Sequence, residues 1–413
     1  MKTPNDSSLS NFPDGYIVRV VVKFGGTSVA TGDRIDRAAT SIAKLVQEGH
    51  EAVVVVSAMG STTDDLFDQI TFEADPSDQA EIVSMGERTS VRMLKAALTS
   101  KGINSIFLEP QHSSWPIILD ETGTLSIKET TSRSENLQNI LHDTVPVITG
   151  FLAEDTSGNV TTLGRGGSDT TAVMLGHYLK ADEVVIVTDV SGVMTGDPNA
   201  VEGAMNVGKI SVDELRSLSF RGAEVIAPSA LSYKTDKFGL RVLHYQHDGL
   251  LTGGTDVTGK FQNLIDMRER ALTGVTVAGR SVRNTHHILR DLSVILGDSN
   301  INIQAVSSGL DSITFYVDNA DGKDVESALH TAVIDIPTLS SVTAESPIAV
   351  VRISGGVVTD QTTVLKDLLL LLSENNIRLN DLITSATSIG VFVNWKQRKE
   401  ALNIIQKMFN DIN

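Results

Sequence analysis

Two short stretches carry residue types suited to chemistry on phosphates and carboxylates. In Val20-Val21-Val22-Lys23-Phe24-Gly25-Gly26-Thr27-Ser28, a lysine ends a β-branched run, followed by two glycines and by hydroxyl residues that can cap a following helix. Such a turn sets one positive charge and several backbone N–H groups at the carboxyl edge of a sheet, where α/β folds bind phosphate. The same residues fit an ordinary strand-to-helix turn with an exposed lysine, and on this stretch alone both readings stand. Neither GxxxxGK[ST] nor GxGxxG is present there. The second stretch, Thr162-Leu163-Gly164-Arg165-Gly166-Gly167-Ser168-Asp169-Thr170-Thr171, places an arginine among three glycines. Glycine lets the backbone approach a ligand closely, and the planar guanidinium suits a carboxylate. Nothing structural asks for an arginine there, whereas Asp169 taken alone reads as an N-cap.

Two further segments could take part. Ser84-Met85-Gly86-Glu87 has the S-x-x-E form of a capping box, so structure alone can explain Glu87. Residues 188–199, TDVSGVMTGDPN, are dense in turn formers and read either as a nucleotide-binding loop or as a long connection.

The elements that must position these residues are legible as short apolar runs. Residues 16–22 (YIVRVVV), 52–56 (AVVVV), 145–149 (VPVIT) and 184–187 (VVIV) read as strands, most of them buried on both faces. Helical patterns lie between them: Ile35, Ala38, Ile42, Leu45 and Val46 at helical spacing, then residues 87–100 and 169–179. Strands alternating with helices predict an α/β fold with a mainly parallel central sheet sandwiched by helices.

Beyond about residue 265 the chain repeats itself. Ile288, Leu289, Leu292, Ile295 and Leu296 form a stripe that Val364, Leu365, Leu368, Leu371 and Leu372 match 76 positions later, as 288 against 364 shows. The register continues, pairing Asn300 with Asn376, Ile313 with Ile389 and Val317 with Val393. Each unit reads as strand, helix, two strands, helix. The second has no closing strand of its own, so an exchanged strand is expected.

Composition bounds the rest. The 413 residues suggest two or three domains at roughly 150 residues each. With no cysteine there is no disulfide framework, thiolate metal site or cysteine nucleophile, and a cytoplasmic address is expected. A formal charge of −17 opposes nucleic acid and anionic membranes as partners, and no apolar run approaches the roughly 18 residues of a membrane span. The first 15 residues read as a polar, flexible tail.

In this order, KFGGTSV, a Gly-Glu pair opening a helix, TLGRGGSDTTA and TDVSGVMTGDPN resemble the aspartate kinases of the amino acid kinase superfamily. The doubled C-terminal unit resembles their paired ACT regulatory domains of βαββαβ form. The resemblance covers residues 18–413. It implies a catalytic domain at 16–265 and ACT modules at 266–344 and 345–413. It also implies phosphoryl transfer from ATP, with Mg²⁺, to the β-carboxylate of L-aspartate, the first step toward lysine, threonine and methionine. Carried over by position, Lys23 would contact the ATP phosphates, with Gly25, Gly26 and Thr27 lining the phosphate loop. Thr63 and Glu87 would hold aspartate, Glu87 facing its ammonium; Arg165 would grip a substrate carboxylate beside Ser168, and Asp169 would orient the reacting groups. Thr188, Asp189, Gly192, Met194, Asp197 and Pro198 would surround the nucleotide. An effector, lysine or threonine, is expected near 282–285 and 359–362 with Asn302 and Gln304. A homodimer or larger homo-oligomer is implied, and no protein cage for a metal is visible.

Three departures stand out. Related enzymes often carry lysine and histidine in a GAKVLHP-like stretch where this chain has Glu224 and Ala227. Asn199 replaces the arginine that usually ends TxDPR, and Ser281-Val282-Arg283-Asn284-Thr285 replaces a proline–glycine turn. The lost positive charges motivate an alternative, a catalytically weak amino-acid sensor; other members of the superfamily are the remaining alternatives.

Overall fold

The computed structural model describes residues 16–220, 225–280, 282, 287–355, 358 and 361–410. The expected tail at 1–15, Glu224 and most of the two expected effector loops lie outside them. Two compact units divide the chain, Met1–Phe261 and Gln262–Asn413. The sequence-based boundary was 265/266.

The first unit runs β1 (Arg19–Phe24), α1 (Gly32–Gln47), β2 (Glu51–Val56), α2 (Thr62–Gln69), α3 (Pro76–Ser100), β3 (Ser105–Leu108), β4 (Ile118–Leu119) and α4 (Ile127–Gln138). It continues through β5 (Val145–Thr149), β6 (Leu152–Asp155), β7 (Val160–Thr162), α5 (Gly167–Tyr178) and β8 (Glu183–Thr188). Last come β9 (Lys209–Ser211), α6 (Val212–Ser219), α7 (Pro228–Leu231), β10 (Gly239–His244) and β11 (Thr255–Thr258).

Eight of these strands form one sheet in the order β3-β5-β2-β1-β8-β10-β11-β9, parallel throughout except between β10 and β11. The β-branched runs make its centre because both faces are covered. Val20, Val22 and Phe24 of β1 pack into one core with Ile35 and Ile42 of α1 and Leu94 of α3. Val21 packs into the opposite core with Val173 of α5 and Leu137 of α4. This alternation, period two along a strand sandwiched by helices, is the predicted doubly covered α/β arrangement.

The second unit runs β12 (Leu264–Met267), β13 (Leu272–Gly279), α8 (Ile288–Asp298), β14 (Ala305–Ser308), β15 (Ser312–Asp318), α9 (Gly322–Asp335), β16 (Leu339–Ser354), α10 (Gln361–Glu374), β17 (Leu379–Thr384), β18 (Ser388–Asn394) and α11 (Arg398–Asn410). The internal repeat is exact in β15 and β18, which begin at 312 and 388. Asn300 and Asn376, paired by the repeat, both adopt positive φ, 55° and 53°, just after their helices.

One strand serves both repeats. The first half of β16 pairs with β13, and its second half pairs with β18 on one side and β12 on the other. The expected boundary at 344/345 therefore falls inside a strand. β12, which precedes the first repeat in the chain, occupies the edge beside the second, and Ile265 and Met267 pack into the core of the second repeat.

Candidate active site

The site is built at the carboxyl ends of β1, β2 and β5. Lys23 follows Val21 on one face of β1, and its ammonium lies 2.6 Å from Oδ1 of Asp169 in the first turn of α5. Asp169 is not the N-cap that its position suggested. Gly166 holds the cap position, and Asp169 Oδ2 accepts the backbone N–H of Ala227 at 3.2 Å. The carboxylate is thus fixed by a cation on one oxygen and by an amide on the other.

Next along the chain, the N–H of Gly25 donates to the carbonyl of Val187 at 3.0 Å, and the carbonyl of Gly26 accepts the N–H of Gly60 at 3.0 Å. A Cβ on Gly26 would stand 2.8 Å from the carbonyl oxygens of both Ala58 and Gly60, so only glycine fits there. The hydroxyls that follow do not cap α1: Ser28 Oγ donates to Val187 O, and the cap is Thr31, whose side chain accepts from Arg34 N–H. Thr27 is exposed beside them.

Glu87 also departs from its local signal. The S-x-x-E segment lies inside α3, which begins at Pro76 with Asp75 as N-cap, accepting from Ser77 N–H at 2.9 Å. Proline at the first helical position and aspartate before it fix the start more strongly than a capping box further on. Ser84 Oγ donates instead to the Glu81 carbonyl. Freed from capping, Glu87 is 3% exposed. Its Oε1 accepts from Ala58 N–H at 3.3 Å and from Thr63 Oγ1 at 3.2 Å, while Oε2 is buried without a hydrogen-bond partner. Burial pushes its pKa up to about 7, against the lowering effect of those hydrogen bonds.

Lys23, Thr63, Glu87, Arg165, Ser168 and Asp169 all line one cleft of about 450 Å³. Arg165 is exposed, between Gly164 and Gly166, whose φ values of 72° and 74° demand glycine. Ser168 is buried against Gly150, where any Cβ would come within 2.5 Å of its Oγ. Sequence reasoning missed four further walls: Ser57, Asp64, Phe67 and Phe151. Asp64 adjoins Thr63 on α2, and Ser57 directly follows β2, so proximity in sequence could have found both. Phe151 carried no signal, being a non-glycine at φ 68°.

The residues assigned to the nucleotide stand apart from these walls. Thr188, Asp189, Gly192, Met194, Asp197 and Pro198 are not among the residues lining the cleft. They leave the end of β8, the neighbour of β1, and fold into an arm: Thr195 N–H donates to Met205 O, and Val207 N–H to Val193 O, each at 2.8 Å. Gly192, at φ 106°, has no room for a Cβ beside Asn206 and Thr255. Asn199 donates its N–H to Asp197 Oδ1 at 2.9 Å and closes a turn. Asn302 and Gln304 lie exposed in the second unit.

Chemically, the cleft sets a lysine and an arginine against a buried carboxylate with a bare oxygen. A ligand bearing anionic groups at one end and a cation at the other complements it. Among the described residues, no group of three or more histidines, aspartates or glutamates is placed to hold a metal ion, and no helix is long and apolar enough to cross a membrane.

The profile of the amino acid kinase family matches residues 18–242. An aspartokinase of Bacillus sp. (strain MGA3) and aspartokinase 2 of Bacillus subtilis (strain 168) are each 30% identical to this chain over 406 residues, covering 94% of it and 97% of the relative. Among solved structures, aspartate kinase from Synechocystis is 26% identical with a TM-score of 0.77, over 95% of this chain and 69% of that one. E. coli aspartokinase III in complex with aspartate and ADP shares the fold, with a TM-score of 0.52 at 22% identity over 94% of this chain and 99% of that one.

Proposed function

From the premise that the chain belongs to the amino acid kinase family, among its aspartokinases, we propose that it transfers the γ-phosphoryl group of ATP to the β-carboxylate of L-aspartate. The products are 4-phospho-L-aspartate and ADP, at the entry to lysine, threonine and methionine synthesis. The observation that carries this reading is the joint placement of Lys23, Glu87, Arg165 and Asp169 on one cleft at the carboxyl edge of the parallel sheet.

In this reading aspartate binds by both ends. Arg165, with Ser168 beside it, pairs with a carboxylate, and the bare Oε2 of Glu87 receives the ammonium, with Thr63 holding the other oxygen. The β-carboxylate is already ionised and nucleophilic at neutral pH, so no general base is required. The site's task is to bring two anions into line and stabilise charge in flight. Mg²⁺, when bound with ATP, would supply positive charge to the phosphates and would need few ligands from the protein. Lys23 turns from Asp169 toward the phosphates, Gly25, Gly26 and Thr27 offer the loop that receives them, and the arm at 188–198 takes base and ribose. Asp169 holds Lys23 at the site until ATP arrives, and Ala227 N–H keeps Asp169 in place. The second unit serves as a regulatory ACT pair answering to lysine or threonine, in a homodimer or larger assembly within the cytoplasm.

Coupled ADP release over a panel of acceptors tests the assignment. Turnover with aspartate, and not with glutamate or UMP, is the expected result; turnover with either of those and none with aspartate overturns it.

A further inference from the structure

The arm that follows β8 is exposed at its tip, where residues 197–203 all face solvent. That tip closes on itself: the N–H groups of Ala200 and Val201 both donate to the carbonyl of Asp197, at 3.0 and 2.7 Å. Turns of this kind shape a tip without fixing where it points. Its direction is set at the base. Residues 188–208 also hold no lysine or arginine, so whatever affinity they lend to a nucleotide comes from shape and not from charge. The orientation of the arm is then decisive.

At the base, two side chains clasp the backbone. Thr255, the first residue of β11 and fully buried, accepts the N–H of Val193 on Oγ1 at 2.9 Å and donates that hydroxyl to Asn206 Oδ1 at 3.2 Å. Asn206 Oδ1 also accepts the N–H of Gly208 at 2.6 Å, and Asn206 Nδ2 donates to the carbonyl of Ser191. Both legs of the arm, 191–193 and 206–208, are thereby tied to one hydroxyl. Gly192 is the residue on which the two side chains close. Thr255 is itself braced: Arg241 of β10, its side chain 7% exposed, donates to the Gly253 carbonyl at 2.6 Å and pairs with Asp256 at 2.7 Å. The chain is held on either side of the hydroxyl.

We propose that Thr255 and Asn206 are positioning residues for the nucleotide, holding the arm in the orientation in which residues 188–198 take base and ribose. The inference rests on the phosphotransfer reading, which places the nucleotide on that arm. Thr255 is buried, so it acts through the backbone it holds. An arm released from this clasp samples other orientations, and apparent affinity falls with the fraction of molecules in the competent one.

Titration calorimetry of the full chain with ADP and Mg²⁺, read beside steady-state kinetics, decides it. Thr255→Val, which exchanges the hydroxyl for a methyl, is expected to weaken ADP about tenfold and to raise KM for ATP by a similar factor. Over the same comparison kcat and KM for aspartate stay within about twofold of wild type. Thr255→Ser, which restores the hydroxyl, recovers the affinity. Asn206→Ala weakens ADP in the same direction and, being on the exposed side of the clasp, carries the test if Thr255→Val fails to fold. Unchanged ADP affinity in these variants, an equal loss of affinity for both substrates, or no recovery in Thr255→Ser overturns the clasp and leaves the phosphotransfer reading standing. A wild-type chain that binds no ADP overturns that reading and the clasp with it.

Discussion

Lys23 and Asp169 form an ion pair at 2.6 Å in which both side chains are largely buried, at 12% and 13% exposure. Removing one partner strands the other charge, so neither substitution is mild. Asp169→Asn is expected to lower kcat by about 10²–10³-fold without raising KM for ATP, because Lys23 is left free for the phosphates. Lys23→Ala lowers kcat/KM for ATP by a similar factor. Since the two act as a unit, the double variant loses less than the product of the two, which steady-state kinetics on all three proteins will show.

If Glu87 receives the substrate ammonium as proposed, aspartate binding is expected to depend on pH. The Glu87 pKa near 7 means that the carboxylate needed for an ammonium partner is present above pH 7 and lost below it. KM for aspartate therefore rises up to about tenfold per pH unit below 7, and Glu87→Gln abolishes this dependence at the cost of a high KM throughout. A profile for Glu87→Gln with the wild-type slope would assign the titration to another group.

The same shift has the opposite sign for stability. The folded state holds the Glu87 proton more tightly than the unfolded chain, whose ordinary value is 4.5, so stability falls as pH rises from about 4.5 to about 7. The full penalty is about 3 kcal/mol above pH 7. Glu87→Gln is expected to raise Tm at pH 8 and to leave it nearly unchanged at pH 4.5, as read by thermal scans of the substrate-free protein.

Arg165 stands exposed on a glycine-framed turn, so its replacement is expected to leave the fold in place and to test its proposed role. Arg165→Ala should reduce kcat/KM for aspartate by about 10–150-fold, the worth of a charged hydrogen bond, with an unchanged far-UV circular dichroism spectrum. A near wild-type kcat/KM would remove the arginine from the substrate.

Gly26 and Gly166 fail for steric reasons. A Cβ at Gly26 meets two carbonyl oxygens at 2.8 Å, and one at Gly166 meets Ala227 Cβ at 2.2 Å on a backbone of positive φ. Each alanine variant is expected to lose about 1–3 kcal/mol in denaturant unfolding. Gly166→Ala should also lower kcat, because pushing Ala227 away loosens its hold on Asp169.

The parts legible in the sequence were those encoded by local pattern. The runs at 52–56, 145–149 and 184–187 became β2, β5 and β8, since continuous β-branched residues have few other fates. Arg165 stood out because an arginine among glycines has little structural purpose, whereas Lys23 fitted an ordinary turn equally well; the structure brings both to the same cleft. Local pattern misled where two signals competed: Ser84-x-x-Glu87 satisfies a capping rule, yet Asp75-Pro76 starts the helix earlier. Residues that act through distant backbone were invisible. Ala227 reaches Asp169 across 58 positions and Ala58 reaches Glu87 across 29, and an alanine's amide leaves no trace in sequence. The dual role of β16 was equally hidden, because a strand carries no mark of how many partners it will find.

That shared strand has a mechanical consequence. Because β16 is hydrogen-bonded into both repeats and β12 reaches past the first to flank the second, neither repeat can be excised with a complete sheet. A duplication that reads as two parts in the sequence is therefore tied together by one continuous strand, whose register shifts between Glu345 and Ile348, where its pairing with β13 ends and its pairing with β18 begins.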